Sequence, residues 1–176
     1  MSEKIAVLGA GSWGSILANL LDENGNQVSL WSYNPKQDEE LNTKHTNTHY
    51  IKDFTYSETL IAYADLKEAL TDATTILFVV PPTAVRSVAG QVKAVLAETH
   101  AKPALIHASK GIEQDTYKRV SEILAEEIPA ENRSSITVLS GPSHAEDVAK
   151  RDITLITAAS TDLDAAKHVQ NLFMNH

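Results

Sequence analysis

Cysteine is absent from the 176 residues, which excludes disulfides, zinc ribbons and thiol catalysis and fits a reducing compartment. Seven histidines remain as candidate metal ligands. No apolar run is long enough to cross a bilayer, and the N-terminus does not open like a signal peptide, so a cytoplasmic location and no membrane insertion are expected. Basic residues are scarce: 15 Lys and Arg against 23 Asp and Glu give a formal charge of −8. Nucleic acid and anionic membranes need a basic surface to offset their own charge, so neither is an expected partner, and an anionic ligand must be captured locally. Internal repeats, low-complexity tracts and Pro/Gly/Ser linkers are also missing, so residues 1–176 read as one domain. At this size a chain buries roughly 70% of its unfolded surface, and 43% apolar with 22% charged residues suits an ordinary globular core.

What is present is an alternation. Short β-branched apolar runs recur at Ile5 to Gly9, Gln27 to Trp31, Leu60 to Tyr63, Thr75 to Val80, Ala104 to His107, Ile136 to Ser140 and Ile153 to Ala158. Helical spacing fills most intervals. Trp13, Ile16, Leu17, Leu20 and Leu21 fall three and four apart before a stop at Gly25, and Asp65 can cap a helix over Leu66 to Leu70. Val85, Val88, Val92 and Leu96 mark a helix opened by Pro82 or Thr83, Thr116 to Ile128 predicts another, and Leu163 to Met174 a last one. Lys44 to Ser57 is the least regular stretch. Strands apolar on both faces, alternating with helices, predict an α/β, doubly wound, mostly parallel sheet of Rossmann type with helices on both faces.

The strongest local signal is Gly9-Ala10-Gly11-Ser12-Trp13-Gly14, directly after the first strand and opening the first helix. In that context the first glycine permits a tight turn, the second lets backbone approach a pyrophosphate, and the third lets helix and strand close together. The helix N-terminus then faces the anion with about half a positive charge. Trp13 either fills the helix–sheet interface or lies against the ligand, and its backbone N–H serves phosphate in both cases. At the end of the second strand, where an NAD-selective fold places an acid on the ribose hydroxyls, the chain reads Trp31-Ser32-Tyr33-Asn34-Pro35-Lys36. Without a carboxylate to repel a 2′-phosphate, NADP is admissible, with Ser32, Tyr33, Asn34 or Lys36 as contacts, although Lys36 equally fits a solvated turn.

Four further segments carry a resemblance. With the glycine loop, Ser109-Lys110-Gly111-Ile112-Glu113 and Leu139-Ser140-Gly141-Pro142-Ser143-His144-Ala145 resemble the bacterial NAD(P)-dependent glycerol-3-phosphate dehydrogenases, as do Val79-Val80-Pro81 and Gln170 to His176. The resemblance spans essentially the whole chain. It implies interconversion of dihydroxyacetone phosphate and sn-glycerol 3-phosphate, feeding glycerophospholipid synthesis, with NADPH or NADH as cofactor. It implies cofactor contacts at Gly9, Gly11, Ser12, Trp13, Gly14, Tyr33, Asn34, Tyr50, Lys110 and Ala145, and substrate contacts at Lys110, Gly141 and Ser143. Relatives often carry His and Arg where this chain has Tyr33 and Asn34. Because Asn34 lacks the guanidinium that grips a 2′-phosphate, dual cofactor use is expected. The family's general acid/base lysine and its all-helical second domain are expected beyond His176, which makes this chain a fragment with little turnover of its own; the full-length protein is a possible homodimer.

The residues around Lys110 agree with that reading. Lys110 follows a strand whose carboxyl end borders the ligand crevice of a parallel sheet, and Gly111 leaves backbone room beside it. Other signals are weaker. His45 and His49, four apart, lack a third ligand, so no metal is expected. His107 reads as a hydrogen-bonded core residue, His144 as a neighbour of the site, and Asp38-Glu39-Glu40 as a solvated helix face. Two rival readings share the glycine loop: another two-domain dehydrogenase acting on a hydroxy acid or sugar phosphate, and a non-catalytic sensor of the nicotinamide pool.

Overall fold

The computed structural model describes residues 2–141 and 143–175; Pro142 and His176, named above, lie outside them. β1 (Lys4–Leu8), β2 (Gln27–Trp31), β3 (Ile61–Tyr63), β4 (Thr75–Phe78), β5 (Ala104–His107), β6 (Ser135–Ser140) and β7 (Thr157–Ala159) form one sheet in the order β3-β2-β1-β4-β5-β6-β7. The first six run parallel, as the alternation predicts. β7 pairs antiparallel with β6, Leu139 opposite Ala158. The seventh strand thus starts later than its apolar run suggests and runs the other way: among the described residues between β6 and β7 there is one short helix, Ala145–Ala149, and no crossover spans the sheet.

The helices are α1 (Ser12–Glu23), α2 (Pro35–Lys44), α3 (Leu66–Ala69), α4 (Pro82–Thr99), α5 (Val120–Glu127), α6 (Ala145–Ala149) and α7 (Leu163–Phe173). Alternating β1 residues divide the core. Ile5 and Val7 pack with α1, α2 and α7 side chains such as Leu17, Leu41 and Phe173, whereas Ala6 and Leu8 pack with Val85, Val92 and Leu124 of α4 and α5. Both faces are covered, so the strands are apolar throughout and the sheet is doubly wound. α5 begins four residues later than its periodicity predicts. Residues 113–118 instead close a tight turn, with Tyr117 at φ 58° and the Glu113 N–H donating to Lys118 O at 2.9 Å.

Register sets the ligand edge. Leu8 lies level with Trp31 and Phe78, Phe78 with His107, and His107 with Val138, so the carboxyl ends of β1, β2, β4, β5 and β6 are aligned. The order reverses between β1 and β4, and the loops leaving these two strands open a crevice there, the usual ligand position in open α/β sheets.

The crevice depends on two glycines. Gly9 sits at φ 115°, and a Cβ on it would lie 2.4 Å from Val79 O. A Cβ on Gly14 would lie 1.9 Å from Gly9 O. Both obstacles are backbone, so neither can swing aside as a side chain would. Gly14→Ala therefore sets a helix-propensity gain of about 1 kcal/mol against displacement of β1 from α1, and overpacking wins by about 2 kcal/mol or more. Denaturant unfolding should show the midpoint falling with the m-value unchanged; a variant as stable as wild type would contradict this close packing.

Candidate functional site

Gly11 caps α1 with no side-chain bond, and no acidic residue stands in the first turn. The same holds for the first turn of α4, whereas α2, α3, α5, α6 and α7 each carry an Asp or Glu there. The first amides of α1 have no partner inside the helix, and its positive end is uncompensated by local charge. These groups face a cavity of about 520 Å³ lined by Gly9, Ala10, Gly11, Ser12, Trp13 and Gly14. A chain with a surplus of carboxylates has left this glycine turn free of acids and pointing into a cleft, which suits an anion.

A buried polar network holds that turn in place. Ala10 O accepts from Asn47 Nδ2 at 3.0 Å, from Ser15 Oγ at 3.1 Å, and from Gln37 Nε2. Asn47 also donates to Ser15 Oγ at 2.8 Å and accepts from Gln37 at 3.1 Å. Asn47 is fully buried, although it lies in the stretch that reads as irregular, and nothing in its local sequence sets it apart. The loop it anchors brings Tyr50 over the glycines: Tyr50 Cε1 lies 3.8 Å from where a Gly11 Cβ would stand. Gln37 also lines the cavity and escapes a sequence reading, because the helix places it there from a polar run.

At the far side of the cavity stand Val79, Pro81, Ser109, Lys110, Ser143 and Ala145. A second cavity of about 360 Å³ adjoins it and shares Trp13, Ala108, Ser109, Lys110 and Ser143; Gly141, Arg119 and Ser121 line it as well. Of the residues singled out in the sequence, the first cavity brings together the glycines, Ser12, Trp13, Tyr33, Tyr50, Lys110 and Ala145. Gly141 joins Lys110 and Ser143 in the second. Asn34 and Lys36 line neither; Asn34 Oδ1 instead accepts the Lys36 N–H at 3.1 Å as the cap of α2. His144 borders the first cavity. His107 is buried as expected, but neither ring nitrogen has a hydrogen-bond partner among the described residues, and burial pushes its pKa down to about 4. The imidazole is neutral and opens on the second cavity. His45 ends α2 at φ 53°, and His49 packs edge-on against Tyr50.

Lys110 stands on a braced loop. Ser109 Oγ donates to Val80 O at 2.7 Å, and Lys110 Nζ approaches Ser143 O at 3.5 Å. Three residues on, Glu113 takes both Arg86 Nε and Nη2 at 2.8 Å, a bidentate pair joining the loop to α4. Arg86 reaches Glu126 and Glu127 of α5 as well, at 3.1 and 2.6 Å. The Arg86 guanidinium, then the Thr116 hydroxyl, hold the Glu113 carboxyl at about 2.

The parallel sheet, the acid-free glycine turn at its switch point and the aligned strand ends define a Rossmann-like nucleotide-binding domain. The chain belongs to the family described as NAD-dependent glycerol-3-phosphate dehydrogenase N-terminus, whose model matches residues 4–166. It is 74% identical over 174 residues to a glycerol-3-phosphate dehydrogenase [NAD(P)+] of Levilactobacillus brevis, covering 99% of this chain and 52% of the relative. A protein of the same name from Lactiplantibacillus plantarum is 67% identical over 175 residues with the same coverage of each. Among solved structures, a glycerol-3-phosphate dehydrogenase from Coxiella burnetii superposes with a TM-score of 0.89 at 33% identity, over 99% of this chain and 52% of that one. The chain thus spans about half the length of the relatives it matches. Among the described residues no helix is long and apolar enough to cross a membrane.

The Glu113 brace carries a pH signature. Its carboxyl ionises at about 2 in the folded chain against an ordinary value of 4.5. The contribution is therefore fully present above about pH 4.5 and is lost as pH falls toward 2. Thermal midpoints of wild type and Glu113→Gln, compared between pH 6 and 3, should differ most at the upper end and converge on acidification. A gap that stays constant would show that Glu113 is not held ionised by Arg86.

Proposed function

We propose that this chain is the nucleotide-binding half of an NAD(P)-dependent sn-glycerol-3-phosphate dehydrogenase, acting on dihydroxyacetone phosphate and sn-glycerol 3-phosphate. The observation that carries the proposal is the uncompensated N-terminus of α1 opening, through Gly9, Gly11 and Gly14, on a cavity whose other wall presents Lys110. The Ser12 and Trp13 amides would hold the cofactor's pyrophosphate, as at other helix N-termini. Val79, Val80 and Pro81 form an apolar wall of the same cavity, which would suit the nicotinamide ring. A nicotinamide held there would supply a hydride to the ketone carbon, whose oxygen would take up a proton from a positioned acid.

This chain's own residues bind and orient. Lys110 lines both cavities, so its ammonium, fixed through Ser109 and the Glu113 brace, reaches a substrate oxygen in the second while bordering the cofactor in the first. Gly141 and Ser143 complete the substrate wall. The positioned acid that protonates the oxygen belongs to the remainder of the full-length protein, the part that relatives possess beyond this span. The reading extends to a cytoplasmic enzyme of glycerophospholipid synthesis and to a homodimer of the full-length protein. The family match and the wall formed by Lys110, Gly141 and Ser143 favour it over a hydroxy-acid or sugar-phosphate dehydrogenase and over a nucleotide sensor.

Trp13 and Trp31 both line the first cavity and report on its filling. In the full-length protein, titration with NADH should quench their fluorescence saturably. Lys110→Ala should lower kcat/KM for dihydroxyacetone phosphate by about a hundredfold or more, the scale of a lost charged contact at the reacting centre, with little change in melting temperature. Unaltered kcat/KM would overturn the role of Lys110, and unaltered fluorescence would overturn the nucleotide site.

A further inference from the structure

The acid missing from the end of β2 is returned by the fold from six residues downstream. Asp38, on α2, lies in a run that reads as a solvated helix face; Glu39 is exposed, but Asp38 is buried, at 6% exposure. Asp38 and Leu41 are one turn apart on the inner side of the helix, which turns the carboxylate back beneath the strand end. There Ser32 Oγ donates to Asp38 Oδ1 at 2.6 Å, the length of a hydroxyl bonded to an ionised carboxylate. Asp38 Oδ2 is buried with no partner among the described residues. Burial, the larger influence, pushes the Asp38 carboxyl up, and the Ser32 bond offsets part of that. A buried carboxylate with one oxygen unpaired is costly, and a structural staple alone would be better served by a neutral side chain.

The consequence falls on the cavity. Ser32 lines it at the strand end where a doubly wound fold contacts the adenine ribose. The Ser32 hydroxyl accepts the Asn34 N–H at 3.1 Å, and its one proton is shared between Asp38 Oδ1 at 2.6 Å, the shorter bond, and Asn34 O at 3.1 Å, so what it has left to offer is a lone pair. Of the neighbouring amides, Gln37 Nε2 is spent on Ala10 O and Asn47 Oδ1, and Asn34, whose Oδ1 accepts the Lys36 N–H, lies outside the cavity, as does Lys36. The Tyr33 hydroxyl belongs to a side chain that is 84% exposed. An acceptor backed by a buried negative charge suits a ribose hydroxyl, which can donate, and opposes a phosphate, which at that position only accepts and repels.

We propose that Ser32 and Asp38 together form a specificity-determining pair that favours NADH over NADPH. The pair takes the place of the single acid that an NAD-selective strand end carries, and it sets a preference within the dual NADH and NADPH use expected from the linear sequence. The inference rests on the nucleotide-binding reading above.

The test is the ratio of dissociation constants for NADH and NADPH in the full-length protein, read by fluorescence titration. Wild type should bind NADH about tenfold or more tightly than NADPH, the scale of one unit charge acting through a partly buried site. Asp38→Asn, which keeps the shape and removes the charge, should narrow that ratio to about twofold, chiefly by tightening NADPH. Ser32→Ala should narrow it by weakening NADH, and it keeps the proposal open to refutation should Asp38→Asn fail to fold. A wild-type ratio near one or favouring NADPH would overturn the proposal, as would variants that shift both constants equally, the behaviour of a purely structural staple. Binding of both cofactors with an unchanged ratio would defeat this inference alone; binding of neither would defeat the nucleotide reading with it.

Discussion

Three backbone segments, at the end of β1, the start of α1 and the end of β4, meet with no room for a single Cβ between them. Gly9 and Gly14 are at the contact, and the obstacles are Val79 O and Gly9 O. Everything that follows in the site depends on that approach. It sets the N-terminus of α1 at the switch point of the sheet, aims its free amides into the cavity, and leaves Gly11 open beneath Tyr50. Glycine supplies only permission. The turn is held by donors from elsewhere in the chain, since Ser15, Gln37 and Asn47 all converge on the Ala10 carbonyl.

Charge is arranged with the same economy. A chain with a net charge of −8 keeps its acids away from the first turns of α1 and α4 and uses them to cap other helices. It also uses one cluster of them as a clamp. Arg86 gathers Glu113, Glu126 and Glu127, and through Glu113 it ties the Lys110 loop to α4. The ammonium that faces both cavities therefore stands on a loop fixed by ion pairs and by Ser109, which limits the range over which a long, flexible side chain wanders.

The fold was legible because its signals are local. Strand and helix alternate in period, Gly9 to Gly14 fall where a strand gives way to a helix, and Lys110 and Ser143 follow strand ends, so their meeting at one edge is a consequence of a parallel sheet. What stayed hidden depends on residues distant in sequence. The carboxylate of Asp38 looks like one of three surface acids until α2 folds it under Ser32, and Asn47 looks like loop until its amide reaches Ala10. The turn at Tyr117 cuts short a helical pattern because tertiary bonds to Glu113 outweigh propensity, and β7 reverses direction because the chain after β6 returns without a crossover.

The central claim is that the amides at the start of α1 receive the cofactor's pyrophosphate while the ends of β2 and β5 receive its two flanks. Hydrogen exchange of the full-length protein, with and without saturating NADH, tests it at residue resolution. The account predicts slowed exchange at residues 11–14, with smaller protection at residues 32–33 and 109–110, and no change at the opposite edge of the sheet around Glu3 and Asn26. Protection that left residues 11–14 unaffected would contradict it.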